Sequence, residues 1–131
     1  MSQNVNIIDT IELKSSKVVL RDDGIIQYSV KPLTLKIEDA KEIVEAIGAL
    51  GKQKQYPVLM STVHDSSVNS EARFYAASKE ANIYTIALAV VVQNIAQTII
   101  GNTYIKINKP IKPTKLFTKD EDAIIWLKTF L

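Results

Sequence analysis

The chain has no cysteine, so a disulfide framework and every thiolate metal site are excluded. Four glycines and four prolines in 131 residues are too few for a collagen-like or low-complexity chain, and isolated glycines build no phosphate-cradling loop. His64 is the single histidine, and one imidazole with no paired carboxylates around it makes neither a metal centre nor a hydrolytic relay. The longest unbroken apolar run is Ile86 to Val92. It suits a buried strand and falls far short of the ~20 residues of a membrane-spanning helix. Met1 to Asp9 shows neither the basic nor the apolar region of a secretory signal, so a cytoplasmic location is expected. Charge of one sign is also scarce: sixteen basic and fourteen acidic residues leave a net +2, too little for a bulk polyanion binder.

What is present suits one globular domain over residues 1–131, with an apolar fraction of 47%. Residues 1–10 are polar and are expected to be a loose extension. Lys17 to Arg21 and Ile25 to Val30 are β-rich runs separated by Asp22-Asp23-Gly24, a hairpin signal in which glycine supplies a positive φ. From Ile37 the period becomes helical, with Ala40, Ile43, Val44 and Ile47 on one face and a stop at Gly51-Lys52. Pro57 to Met60 reads as a third strand, leading into the polar loop 61–70. Ser70 is the expected cap of a second helix running to about Glu80, with Ala72, Tyr75, Ala76 and Lys79 in line.

Ile83 to Val92 predicts a strand covered on both faces. Gln93 to about Ile107 predicts a third helix with Ile95, Ile99, Ile100 and Tyr104 inward. A short strand at Lys115 to Phe117 follows, and Thr118 or Asp120 caps a last helix that packs through Ala123, Ile124 and Leu127. The order β-β-α-β-α-β-α-β-α predicts an α/β domain with a mixed, mostly parallel sheet of about five strands and about four helices.

This order, the segment Ile37 to Ile47, Tyr56 to Leu59, Ser70 to Arg73 and the tail from Ile100 through Thr118 resemble the STAS domains of sulphate transporters and anti-sigma-factor antagonists. Small stand-alone bacterial STAS-like proteins are closer still. The likeness covers roughly residues 14–131. It implies a signalling role through contact with a protein partner, and a serine phosphorylated at the start of the helix after the third strand. In the antagonists that serine belongs to an Asp-Ser-Ser-Gly motif. Here Asp65-Ser66-Ser67 matches, with Val68 in place of the glycine, while counting from the strand end points to Ser70. Both Ser66 and Ser70 are therefore candidates, and the plain alternative is turn and cap duty. The acidic residue usual near the strand end is replaced by Ser61 and Thr62.

A partner surface is expected at loop 61–70, Arg73, Phe74 and the third helix around Gly101. The partner would be another protein, including a second copy of the chain as a homodimer. Residues 1–80 carry ten basic and eleven acidic groups, whereas 81–131 carry six and three, with no acid from Ala81 to Lys119. Lys106, Lys109, Lys112 and Lys115 are thus candidate anion contacts, beside the simpler reading of a solvated edge. Sparse aromatics and arginines argue against specific nucleic-acid readout. No residue constellation suggests an enzyme, and no cofactor is implied. The alternative to a regulatory protein-binding module is a carrier of a small apolar ligand or lipid, since lipid-exchange domains share a related fold. Its pocket would lie between the third helix and the sheet, at Ile95, Ile99 and Tyr104.

Overall fold

The computed structural model describes residues 5–131. Residues 7–10, expected within a loose extension, instead belong to strand β1 (Ile7–Glu12), paired antiparallel with β2 (Ser16–Arg21) from Ile7↔Arg21 to Glu12↔Lys17. As the sheet edge it is held by backbone hydrogen bonds along one side and needs no apolar alternation, which is why its residues are almost all exposed and gave no periodic signal. The remainder of that expectation, residues 1–4, lies outside the described residues. The Asp22-Asp23-Gly24 turn forms as expected, with Gly24 at φ 85°, and leads into β3 (Ile26–Val30).

A two-residue strand β4 (Thr34–Leu35) precedes α1 (Ile37–Leu50), where Asp39 accepts a hydrogen bond from the Lys36 N–H at 2.9 Å. Ile43, Ala46, Ile47 and Leu50 bury the inner face of α1. The helix stops at Gly51 as expected, but the left-handed residues are Lys52 and Gln53 (φ 54° and 68°). Gly51 is needed for space instead: an added Cβ would meet the Tyr56 ring at 2.7 Å. Then come β5 (Tyr56–Ser61), β6 (Ser67–Val68) and α2 (Ser70–Ala76). The cap of α2 is Asn69, whose side chain accepts from the Ala72 N–H at 2.9 Å, and not Ser70. This helix ends four residues early because side chains take over its last carbonyls. Ser78 Oγ donates to Tyr75 O at 2.6 Å, and Asn82 Nδ2 donates to Ala76 O at 2.8 Å.

Strand β7 (Thr85–Val91) is followed by α3 (Ile95–Thr103), one π-helical turn (Tyr104–Asn108), β8 (Thr114–Phe117) and α4 (Asp120–Lys128). Lys119 occupies the cap position of α4 without a side-chain bond, so neither Thr118 nor Asp120 caps it. Asp120, Glu121 and Asp122 instead complement the dipole in its first turn.

Six strands, one more than expected, form the main sheet in the order β1-β2-β3-β5-β7-β8. The first three are antiparallel, and β3, β5, β7 and β8 run parallel. β4 and β6 pair separately. The protein is an α/β domain with a mixed sheet and four helices. Two apolar clusters lie on opposite faces of the sheet. Val18, Ile26, Val58 and Met60 meet α1 on one, and Leu59, Ala87, Ala89 and Val91 meet Ala123 and Leu127 of α4 on the other.

Candidate functional site

Successive residues of a strand point to opposite faces, and β7 uses this unevenly. Ala87, Ala89 and Val91 are closed off beneath α4, whereas Leu88 and Val90, facing the other way, are only partly buried. On that second face α1 leans over β1, β2 and β4, while α3 meets the sheet at β8. The two helices leave a gap above β5 and β7. It is a cavity of about 150 Å³. Val58, Met60, Leu88 and Val90 floor it, Ile43 and Ile47 of α1 and Tyr75 of α2 wall one side, and Gln97, Ile100 and Gly101 of α3 wall the other.

Two phenols border this apolar space, Tyr28 from β3 and Tyr104 at the start of the π turn. Tyr104 is only 8% exposed. Neither hydroxyl has a hydrogen-bond partner among the described residues, and neither is sealed against all contact. Burial pushes both phenols well above their usual range, and for Tyr28 the proximity of Tyr104 adds to it, because two neighbouring phenolates would repel. Both therefore stay neutral and keep a proton to donate.

The third helix is held by polar contacts in place of the apolar packing expected of it. Ile95, Ile99 and Ile100 are 78%, 60% and 38% exposed, and no residue of α3 is fully buried. Of the four expected inward residues only Tyr104 is buried. Asn94 caps the helix, accepting from the Gln97 N–H at 2.8 Å and donating to His64 O at 2.9 Å. Gln97 Nε2 donates to Val63 O at 2.8 Å and to Ser66 O at 3.0 Å, and its Oε1 accepts from the Gln93 N–H at 2.7 Å. Asn followed by Gln three residues later is the capping-box spacing. That signal was available in the sequence and marks where α3 begins. At Gly101 an added Cβ would come within 2.8 Å of Leu116 Cδ1, so this glycine seats the helix on β8 and borders the cavity, away from any outer contact surface.

The candidate serines separate. Ser66 is buried, donates to Val30 O and Lys31 O (3.2 and 3.1 Å) and accepts from the Val63 N–H at 3.0 Å. Its hydroxyl is committed to holding loop 61–70 against β3. Ser70 is exposed on the first turn of α2. Arg73 is half-buried on the cavity wall and donates to Val68 O, while Phe74 beside it is 75% exposed. His64 is exposed with Nδ1 3.2 Å from Asp65, and with Ser66 turned inward the three do not converge. The lysines divide as well. Lys106, Lys109 and Lys112 follow α3, but Lys115 lies on the α4 side of β8, 5.5 Å above the Phe117 ring, because it alternates with inward Leu116.

A search of curated proteins finds no match to the chain. Among solved structures, the chain is similar to the crystal structure of an uncharacterized protein of the DUF3478 family with a SpoIIAA-like fold from Shewanella loihica PV-4. The TM-score is 0.50 at 16% sequence identity, over 97% of this chain and 98% of that one. At that identity the likeness shows the fold: the domain is SpoIIAA-like, that is, STAS-like. A family model described as a domain of unknown function, DUF7793, matches residues 19–131, and the chain belongs to that family.

Proposed function

We propose that the chain is a non-enzymatic binding module that carries a small, mostly apolar ligand bearing one hydrogen-bonding group, held between α1, α2 and α3. One observation carries this reading: the tyrosines bordering the apolar cavity, Tyr104 of them almost wholly buried, offer hydroxyls that no other described residue engages. Each hydroxyl keeps some contact with solvent, so a ligand carbonyl or hydroxyl would take the place of water as its partner while the apolar remainder of the ligand fills the space beside it. Size narrows the class. An aliphatic cavity of about 150 Å³ accommodates a molecule near benzene in size, so the ligand is a ring or short chain, and a long acyl tail would have to leave the pocket.

The test is methyl NMR of the purified protein titrated with cyclohexanol, indole and heptanol, alongside xenon as a polarity-free filler. The reading expects shifts at Leu88, Val90 and Ile43 for a polar member of the panel, abolished by Leu88→Phe. Xenon entering while every alcohol and indole leaves these methyls unmoved would end it.

A second reading, a regulatory protein-binding module of the anti-sigma-antagonist kind, is supported by the exposed Phe74 and by Ser70 one turn before it. It expects phosphate on Ser70 after incubation with kinases of the source cell. Phosphopeptide mapping that finds Ser70 unmodified would remove it.

A further inference from the structure

The outer flank of α3 and the segment after it carry a second feature, separate from whatever fills the cavity. Ile95 and Ile99, one helical turn apart, point away from the sheet at 78% and 60% exposure. Ile107 in the π turn and Ile111 in the following loop are 68% and 52% exposed. Lys106, Lys109 and Lys112 interleave with these isoleucines. None of the three lysines is in an ion pair among the described residues, and the nearest acids in sequence are Glu80 and Asp120. The segment is also fixed in place. Lys109 takes a left-handed conformation (φ 52°) with its N–H donating to Tyr104 O, and the Ile111 N–H donates to Ala77 O at 3.2 Å, tying the loop to the end of α2.

Four exposed isoleucines and three lysines outside any ion pair, on a segment that contains no acid of its own, select their partner by chemistry. Protein interfaces concentrate binding in Trp, Tyr and Arg and are depleted in Lys, and none of those three favoured residues is exposed in this patch. Aliphatic side chains that enter the headgroup layer, flanked by lysines paired with acidic headgroups, are the composition of an interfacial membrane contact.

We propose that the outer face of α3, the π turn and residues 109–112 dock onto an anionic lipid surface. Juxtaposed lysines at such a surface each contribute a factor of roughly five in affinity, so the three together give about a hundredfold preference for acidic over neutral bilayers. The contact weakens as salt shortens the range of the charges.

The experiment is co-sedimentation of the full chain with vesicles of phosphatidylcholine containing phosphatidylglycerol, against vesicles of phosphatidylcholine alone. Expected is binding to the acidic vesicles that is lost in about 0.5 M salt. The triple substitution Lys106→Glu, Lys109→Glu, Lys112→Glu should abolish it. Ile95→Ser with Ile99→Ser should leave the salt dependence but lower the bound fraction severalfold, with circular dichroism confirming that both variants are folded. Equal binding to the two vesicle types, or none to either, overturns the proposal. So does a concentration-dependent dimer in sedimentation velocity that Ile95→Ser dissolves, since the face would then belong to a second copy of the chain. Because no ligand is added, failure here leaves the cavity reading standing, and failure of the cavity titration leaves this one standing.

Discussion

The two faces of one sheet are finished differently. Both receive apolar side chains from the same strands, yet α4 closes its face completely: Leu59, Ala87, Ala89, Ala123 and Leu127 are all at 0% exposure. The opposite face is covered by three helices and still keeps a cavity of about 150 Å³. Side-chain size and helix seating account for this. On the α4 side, the alanines of β7 and Ala123 let one helix sit close, and Trp126 packs with Phe117 and Phe130 at ring separations of 5.7 and 4.9 Å to close the far end. On the other side α3 is positioned by Gln97 and Asn94 at its start and by Gly101 on Leu116, so its seating follows hydrogen bonds and not the filling of the valley beneath it. Close packing is the default of protein interiors. A gap bordered by polar hydroxyls and kept open by a helix that does not pack into it is where the proposed ligand would sit.

That contrast can be broken most directly by truncation. Leu127→Ala on the closed face should lower stability by about 3–4 kcal/mol, the upper range for a fully buried leucine whose site cannot collapse. Leu88→Ala, bordering space that already exists, should cost no more than about 2 kcal/mol. Urea denaturation of the two variants measures the difference, and equal losses would mean that the faces are equivalent.

Acid sharpens it next. Arg21 of β2 is buried and donates to Asp23 through both Nε and Nη2, the latter at 2.6 Å, while Nη1 donates to Gln27 Oε1 at 3.0 Å. Burial alone would raise the Asp23 carboxyl, but the hydrogen bonds and charge of Arg21, with Lys128 of α4 and the Ile25 backbone, outweigh it and hold the group below its usual range. The folded chain therefore binds this proton less readily than the unfolded one. Its stabilisation is complete above about pH 4, the unfolded value, and fades as pH falls through the lower folded value. Asp23→Asn should cost about 2 kcal/mol at neutral pH and flatten that part of the pH–stability curve below pH 4 in thermal melts.

Overfilling comes third. Ala89→Leu should lose roughly 1–3 kcal/mol because no room remains under α4. Val90→Leu, its neighbour facing the cavity, should change stability by less than about 1 kcal/mol while weakening the ligand response. The smallest effect is the most telling. Tyr104→Phe removes a hydroxyl that holds nothing in the free protein, so its stability should stay within about 0.5 kcal/mol. Affinity for a hydrogen-bonding ligand should fall by about tenfold. A loss of stability with unchanged affinity would assign that hydroxyl a structural bond instead.

Particular residues show how far the chain could be read in advance. The Asp-Gly turn, the amphipathic face of α1, the apolar run of β7 and the pairing of Ala123 with Leu127 were legible because each is a local pattern with one geometric solution. β1 was not, since an edge strand draws its stability from a neighbour's backbone and leaves no mark in its own side chains. The cap of α2 was displaced by one residue, because Asn69 and Ser70 are both competent and only the hydrogen bond to Ala72 decides between them. The candidate serines were legible as residue types only. Whether a hydroxyl faces solvent, like Ser70, or Val30 and Lys31, like Ser66, depends on how the loop lies against β3.

The amino-acid sequence by itself determined the order of the four helices and of strands β2, β3, β5, β7 and β8, though not β1, β4 or β6, together with the absence of thiol chemistry and the lysine-only stretch after α3, because these depend on residue identity and on patterns a few residues long. Tertiary structure alone decided which flank of α3 turns inward. Apolar residues occupy two sides of that helix, Ile95 and Ile99 on one, Ile100 and Tyr104 on the other, so periodicity is indifferent between them. The choice was made by Gln97 reaching the carbonyls of Val63 and Ser66 and by Gly101 meeting Leu116. Those contacts join segments about thirty residues apart in the first case and fifteen in the second, beyond the reach of any local pattern. With that choice came both the cavity under α3 and the exposed isoleucines above it.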